Sequence, residues 1–267
     1  SSQSNPIIVD GVMYANSGKQ WVYAINAQTG KQLWAFKALA DGEPTAASRG
    51  VTYWAKGEDK RILYSAGNYL LAINAKTGKL IPTFGQNGKI NLNVGVRDNP
   101  AKISVTLTTP GSIFKDLIII GSRLPDFYGA APGYIRAYHC KTGKLAWTFH
   151  TIPHPGEVGY DSWPKDAYKY AGGVNCWAGM SIDSKRGMVF LASGSPTYDY
   201  YGADRVGANL FGNCVLALDA ATGKYKWHFQ AVHHDIWDYD LPCPPNLVTI
   251  KQDGKDVDAV AQATKQG

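Results

Sequence analysis

Charge is scarce in this 267-residue sequence: 18% of the residues are Asp, Glu, Lys or Arg, against 45% hydrophobic. That balance describes a globular chain with a sizeable core and no disordered tails. The net charge of +6 is spread thinly, with Lys and Arg standing singly and many of them in Thr-Gly-Lys turns. No basic stripe follows a phosphate backbone, so no nucleic-acid partner is expected. Long apolar runs are also missing. None approaches the roughly 18 residues of a spanning helix, so no segment of this chain is expected to cross a membrane. The four cysteines, Cys140, Cys176, Cys214 and Cys243, form neither CxxC nor CxxCH. That spacing removes zinc-ribbon, thioredoxin-like and c-type haem readings, while disulfides and buried free thiols both stay open. The opening Ser1-Ser2-Gln3-Ser4-Asn5-Pro6 has no basic or apolar signal-peptide region and no initiator Met. A mature protein or an excised piece is expected, with its compartment not written there.

Helical periodicity is nearly absent as well. In its place stands a repeat. Ala24-Ile25-Asn26-Ala27-Gln28-Thr29-Gly30-Lys31-Gln32-Leu33-Trp34-Ala35-Phe36 returns over residues 72–84, 137–149 and 217–229, starting 48, 65 and 80 residues apart. Periods of this size belong to propeller blades with insertions of varying length between them. Each copy reads as an alternating strand that ends at Asn, Asp or His. A Thr-Gly turn follows, in which Gly supplies the positive φ, and then a returning strand whose Trp fills the gap to a neighbouring sheet. Strand candidates lie between the copies: Pro6 to Tyr14, Arg61 to Ser65, Leu117 to Gly121 and Gly187 to Ala192. Four short strands per repeat predict an all-β β-propeller over 1–267, with a plain sandwich as the weaker alternative. The final segment, Asp256 to Gly267, reads as the first strand of a further blade. Either the ends close a small ring or the chain is part of a larger propeller, and the second is favoured because no capping pattern is visible.

One stretch concentrates chemistry. Ala231-Val232-His233-His234-Asp235-Ile236-Trp237-Asp238-Tyr239-Asp240-Leu241-Pro242 carries two imidazoles, three carboxylates and two aromatic rings in eight residues, directly after a regular strand pair. A rigid sheet that delivers such a loop is a common way to hold catalytic groups. The bland alternative is a rim loop whose carboxylates cap turns. Adjacent histidines project in different directions and lack zinc partners, so His233 and His234 read as loop-shaping groups, and His150 and His154 as structural ones.

The Ala-x-Asn/Asp-x-x-Thr-Gly-x-x-x-Trp repeat resembles the tryptophan-docking motif of the quinoprotein dehydrogenases, which use pyrroloquinoline quinone (PQQ) on an eight-bladed propeller. Gly173-Val174-Asn175-Cys176-Trp177-Ala178-Gly179-Met180, Gly194-Ser195-Pro196-Thr197-Tyr198-Asp199 and His233-His234-Asp235-Ile236-Trp237-Asp238 are similar to the membrane-bound glucose dehydrogenase branch. The resemblance covers essentially the whole chain, which would hold about four of the eight blades. It implies Asp238 as general base and Lys265, in Ala-x-Lys-x-Gly, as a second catalytic and cofactor-contacting group. It implies Arg49 on a PQQ carboxylate, Trp177 as the ring beneath the flat cofactor, and Asn175 and Thr108 as further cofactor contacts. Asp126, Thr197 and Asp238 fall where the family places metal-coordinating groups, for Ca²⁺.

These roles are chemically reasonable. Oxidising an alcohol needs a carboxylate to take the hydroxyl proton as hydride leaves carbon. A Ca²⁺ with oxygen ligands would polarise a quinone carbonyl. A lysine ammonium would offset negative charge on the reduced ring, and an arginine fork suits a carboxylate. Taken singly, Arg49 reads as a surface ion-pair partner, Trp177 as core and Lys265 as a solvated tail residue. Only the ordered combination points to a site.

The sequence also departs from the family. Some relatives have adjacent cysteines near the cofactor, and the glucose branch a histidine, where this chain has Thr45-Ala46-Ala47-Ser48. Pro82 stands where the second docking Trp belongs, so that junction must pack differently. The expectation is a fragment of a periplasmic PQQ- and Ca²⁺-dependent dehydrogenase of a sugar or alcohol, with glucose favoured. Electrons would pass to a quinone, and membrane association would come through parts outside this chain. The alternatives are a quinoprotein alcohol or polyol dehydrogenase and a non-enzymatic propeller scaffold.

Overall fold

The structure, a computed structural model, describes residues 3–43 and 45–267; Ser1, Ser2 and Pro44 lie outside the described residues. Among the described residues it contains four antiparallel sheets of four strands, each strand paired with the next strand of its own sheet. The first sheet comprises β1 (Ile7–Val9), β2 (Val12–Asn16), β3 (Trp21–Asn26) and β4 (Gln32–Lys37). The second comprises β5 (Thr52–Lys56), β6 (Asp59–Ala66), β7 (Tyr69–Asn74) and β8 (Lys89–Asn91). The third comprises β9 (Ser112–Phe114), β10 (Leu117–Ile120), β11 (Ile135–His139) and β12 (Leu145–Phe149). The short strands β13 (Gly172–Gly173) and β16 (Pro196–Thr197) pair with each other, outside the fourth sheet. That sheet is formed by β14 (Met180–Asp183), β15 (Met188–Ala192), β17 (Cys214–Asp219) and β18 (Tyr225–Gln230). A hairpin, β19 (Asn246–Gln252) with β20 (Lys255–Ala261), follows.

These sheets are propeller blades. Each of three apolar clusters sits between successive sheets, as where Ile119 and Trp147 of the third meet Leu191 and Leu216 of the fourth. The first strands of successive sheets neighbour one another, β5 with β9, β9 with β14 and β14 with β19. Two strand readings need correction. The Pro6 to Tyr14 candidate is a hairpin rather than one strand: Asp10 (φ 49°) and Gly11 (φ 75°) turn the chain, the Asp-Gly signal of a two-residue hairpin. The segment from Asp256 belongs to the second strand of its blade, because Asp253 (φ 51°) and Gly254 (φ 76°) make the same turn.

The repeated turns behave as their sequence dictates. Asn26 Oδ1 accepts from the Gln28 and Thr29 amides, Asn74 Oδ1 from Lys76 and Thr77, and Asp219 Oδ1 from Ala221 and Thr222, all at 2.8–3.1 Å. The docking rings then cross to the next blade. Trp34 Nε1 donates to the Ala75 carbonyl (2.9 Å) and Trp147 Nε1 to that of Ala220 (3.3 Å). Each ring lies flat on a turn glycine, where a Cβ on Gly78 or Gly223 would come within 2.7 or 2.5 Å of it.

The junction with Pro82 does pack differently. Cys140 is the counterpart of Ala75 and Ala220, and its carbonyl accepts from Arg61 Nη1 (3.2 Å), as does that of Lys141 (2.8 Å). Asp59 holds Arg61 through two 2.7 Å contacts, and the guanidinium lies 5.6 Å from the Trp54 ring centre. Arg61 thus supplies the donor that a docking tryptophan supplies elsewhere, while Gly85 and Ile90 cover the turn glycine Gly143 in place of its ring.

Candidate active site

Strand alternation sends two sets of connections to one end of the blades: those between blades, and those between second and third strands. At that end lies a cavity of about 490 Å³. Arg49, Thr108, Asp126, the neighbouring pair Asn175 and Trp177, and Asp238, from five separate connections, all line it. Lys265 reaches it from beyond β20, its Nζ donating to Asp238 O (2.6 Å) and Oδ2 (2.9 Å) and standing 3.6 Å from Asp240 Oδ2. Thr197 is the exception. It is buried in the short β13–β16 pair against Gly172 and does not line the cavity, whereas Asp199, two residues further on, does.

Backbone bonds fix the two ends of the pocket. The Arg49 amide donates to Thr108 O (2.7 Å), and the Arg49 carbonyl accepts from Asn5 N (2.9 Å) and Nδ2 (3.0 Å). The guanidinium lies over Trp177, 5.3 Å from the ring centre, and among the described residues makes long contacts to Gln3 Oε1 (3.3 Å) and Thr109 Oγ1 (3.4 Å). Asn175 Nδ2 donates to Ser122 O (2.9 Å). Across the pocket, Asp240 accepts from Trp177 Nε1 (3.1 Å) and from the Ser195 amide (2.7 Å). Gly194 permits that approach, since a Cβ there would fall 2.5 Å from Asp240 Oδ1.

The polar loop is tied from within by Asp235, which is 2% exposed. Its Oδ2 accepts from Ser195 Oγ (2.5 Å), Asn213 Nδ2 (2.9 Å) and the Tyr239 amide (2.7 Å), and its Oδ1 from the Trp237 amide (2.9 Å). Arg205, also buried, donates to the Asp235 carbonyl (2.6 Å). Held in this way, Asp238 takes a left-handed conformation (φ 56°) uncommon for its type. His234 Nδ1 meets the Gly207 carbonyl (2.9 Å), a loop-shaping contact.

Electrostatics set this end of the molecule apart. Burial, then the charges of Asp126, Asp238 and Asp240, push the Asp199 carboxyl up to about 7, with Arg205 opposing. Asp240 is also raised, by burial first and then by Asp238, against the Ser195 amide, Lys265 and Trp177. Burial pulls Lys265 down, but its bond to Asp238 and the charges of Asp240 and Asp238 outweigh this, and it ends above its ordinary value. The surplus negative charge suits a divalent cation with oxygen ligands. Among the described residues, no three His, Cys, Asp or Glu groups converge on one point, so the carboxylates flank the cavity without a preformed cage. The four cysteines are free thiols, three of them buried.

The reading from sequence missed Asp199, Asp240, Asp235 and Arg205. Only the crowding of carboxylates in 235–240 hinted at the second and third, and nothing local marked Arg205.

A family model described as "PQQ: Glucose/ethanol/alcohol dehydrogenase, beta-propeller domain" matches residues 1–267, and the chain belongs to that family. It is 35% identical to the quinate/shikimate dehydrogenase (quinone) of Acinetobacter baylyi, over 99% of this chain and 36% of that protein. It is 31% identical to the quinoprotein glucose dehydrogenase of Escherichia coli, over 100% of this chain and 35% of that one. The crystal structure of quinohemoprotein alcohol dehydrogenase from Comamonas testosteroni superposes with a TM-score of 0.84 at 28% identity, covering 100% of this chain and 40% of that chain. The chain thus spans little more than a third of the curated relatives it matches.

Proposed function

We propose that this chain carries the base, the lysine and one wall of the active site of a PQQ-dependent dehydrogenase that oxidises a sugar or alcohol hydroxyl. The observation that carries the reading is the meeting of Lys265 with Asp238 and Asp240 beside Trp177, three chain segments brought together at the floor of one cavity. Asp238 is the base. Lys265 holds one carboxylate oxygen, which leaves the other free to take the hydroxyl proton. PQQ, when bound, supplies the two-electron acceptor. Arg49 would leave the Trp177 face to bind a cofactor carboxylate, since its present contacts are long, and Thr108 and Asn175 would edge the same pocket. Asp126, Asp199 and Asp238 are the oxygen groups that could hold Ca²⁺, with Asp199 in the place first expected of Thr197.

Glucose is the favoured substrate. A cyclic polyol is the second reading, because the relative named for quinate and shikimate is 35% identical against 31% for the glucose enzyme. A quinone as acceptor accords with the quinone named for that relative, and a periplasmic setting with membrane attachment elsewhere accords with the family resemblance. The test uses the chain extended to the length of its relatives. PQQ binding is followed by absorbance and dye-linked oxidation of glucose, quinate and glycerol is assayed with Ca²⁺. Asp238→Asn should lower kcat by about 100-fold or more while PQQ still binds. A folded extended protein that neither binds PQQ nor oxidises any of these would establish the scaffold reading instead.

A further inference from the structure

A second cavity, of about 660 Å³, is formed at the same end by the connections at 92–111, 121–134 and 150–179, which also line the first. Its character is opposite. Its walls are the rings of Tyr128, Tyr134, Tyr168, Tyr170 and His154. Arg97, Lys102 and Lys169 face it, with Asp98 the one carboxylate among its lining residues.

The pocket is built rather than incidental. Arg97 donates to the carbonyls of Lys169, Ala171 (2.6 Å) and Ala130 (3.4 Å), clamping two of the connections together. Tyr134 Oη lies 2.8 Å from His154 Nε2, and His154 packs on Tyr168 with ring centres 4.5 Å apart. Behind them His150 stacks on His154 at 3.9 Å and is held by Glu157 (2.8 Å). Tyr128 stacks on Tyr198 at 5.3 Å, next to Asp199 of the acidic cavity, so the two pockets share a wall.

Phenol rings are electron-rich, and Lys102 and the Tyr128 hydroxyl at the rim offer hydrogen-bond donors, while Arg97, Lys169 and the Tyr134 and Tyr170 hydroxyls are engaged within the protein. Their complement is a flat, electron-poor ring whose polar atoms only accept. We propose that this pocket binds the headgroup of a quinone, the electron acceptor. The inference rests on the dehydrogenase reading for its redox partner. The alcohol loses two electrons and two protons, and the quinone gains two of each to become the hydroquinone. Polyols, rich in their own donors, fit the acidic cavity, and an acceptor-only quinone ring fits the basic one.

The test uses Tyr168→Ala and Lys102→Glu, with Tyr168→Phe as the conservative control, in the chain extended to its relatives' length. Two readouts separate the claims. Binding of 2,3-dimethoxy-5-methyl-1,4-benzoquinone is measured by calorimetry. The KM for that quinone is compared with the rate toward phenazine methosulfate, a cationic dye the basic pocket disfavours. Tyr168→Ala and Lys102→Glu should each weaken quinone binding by about ten-fold, and the quinone KM should rise in step. The dye-linked rate should stay unchanged in both variants. The melting temperature should stay unchanged in Lys102→Glu and fall modestly in Tyr168→Ala, whose ring packs on the core, and Tyr168→Phe should behave as the parent. Unchanged quinone binding in both disruptive variants overturns the pocket assignment, whatever the dye-linked rate. Loss of the dye-linked rate in the parent itself overturns the dehydrogenase reading, and calorimetry still decides the pocket.

Discussion

At the turn end of the blades, Asn74 and Asp219 each spend a side-chain oxygen on two backbone amides, and Trp34 and Trp147 each find a carbonyl across the junction. At the loop end, four carboxylates border one cavity, and Asp199 is raised to about 7 by burial and by its neighbours. Val174 and Asp238, neither of them glycine, are held at positive φ (55° and 56°). Positive φ at a non-glycine residue occurs at both ends, as at Asp10 and Asp253 in the first; what differs is that one end satisfies its polar groups locally and repeats, while the other stores unfavourable charge. Uniform packing at the first supplies the stability that lets the second hold groups poised for a ligand.

The largest break in this contrast is expected from the turn end. Trp147, 8% exposed, joins the third and fourth blades, and Trp147→Ala should cost about 3–5 kcal/mol in urea unfolding. A loss under 1 kcal/mol would mean that the junction does not depend on the ring. Trp227, at 38% exposure, carries no such contact in this chain and is the natural control. Arg61→Leu should cost less, about 2 kcal/mol, because it strands the carbonyls of Cys140 and Lys141 and unpairs Asp59, which is partly solvated. If Arg61→Leu proves neutral, the tryptophan substitute proposed for the second junction is wrong.

The smallest effect sharpens the loop end and is read against pH in metal-free protein. A carboxyl raised from 3.8 to about 7 keeps its proton in the folded state after the unfolded chain has released it. Stability should therefore be greatest on the acid side of this window, decline as pH rises from about 4 to about 7, and level off above. Asp199→Asn should flatten that decline, and so should millimolar Ca²⁺ at neutral pH if the cavity takes the cation. A decline equally steep in Asp199→Asn would place the titration elsewhere.

Much of the candidate site was legible because each residue sits in a short run of recognisable order. Arg49, Thr108, Asp126, Asn175, Trp177 and Asp238 do line one cavity, and Lys265 does meet Asp238. Thr197 and Asp199 show where such reading stops. They stand two apart in one loop, and only the β13–β16 pairing decides that the threonine turns into the protein and the carboxylate towards the cavity. The Asp10-Gly11 and Asp253-Gly254 hairpins are readable from their dipeptides, because the Asp-Gly pair favours the turn conformation whatever flanks it.

The sequence by itself determined the blade: alternation, an Asn or Asp before Thr-Gly, and a ring on the returning strand act over a dozen residues, within reach of local sterics and hydrogen bonds. It could not determine that Arg61 takes a tryptophan's place against Cys140, about 80 residues away, or that the charges of Asp126, Asp238 and Asp240 raise the proton affinity of Asp199. Those facts depend on distances across irregular loops, and Coulomb and packing energies follow separation in space rather than along the chain.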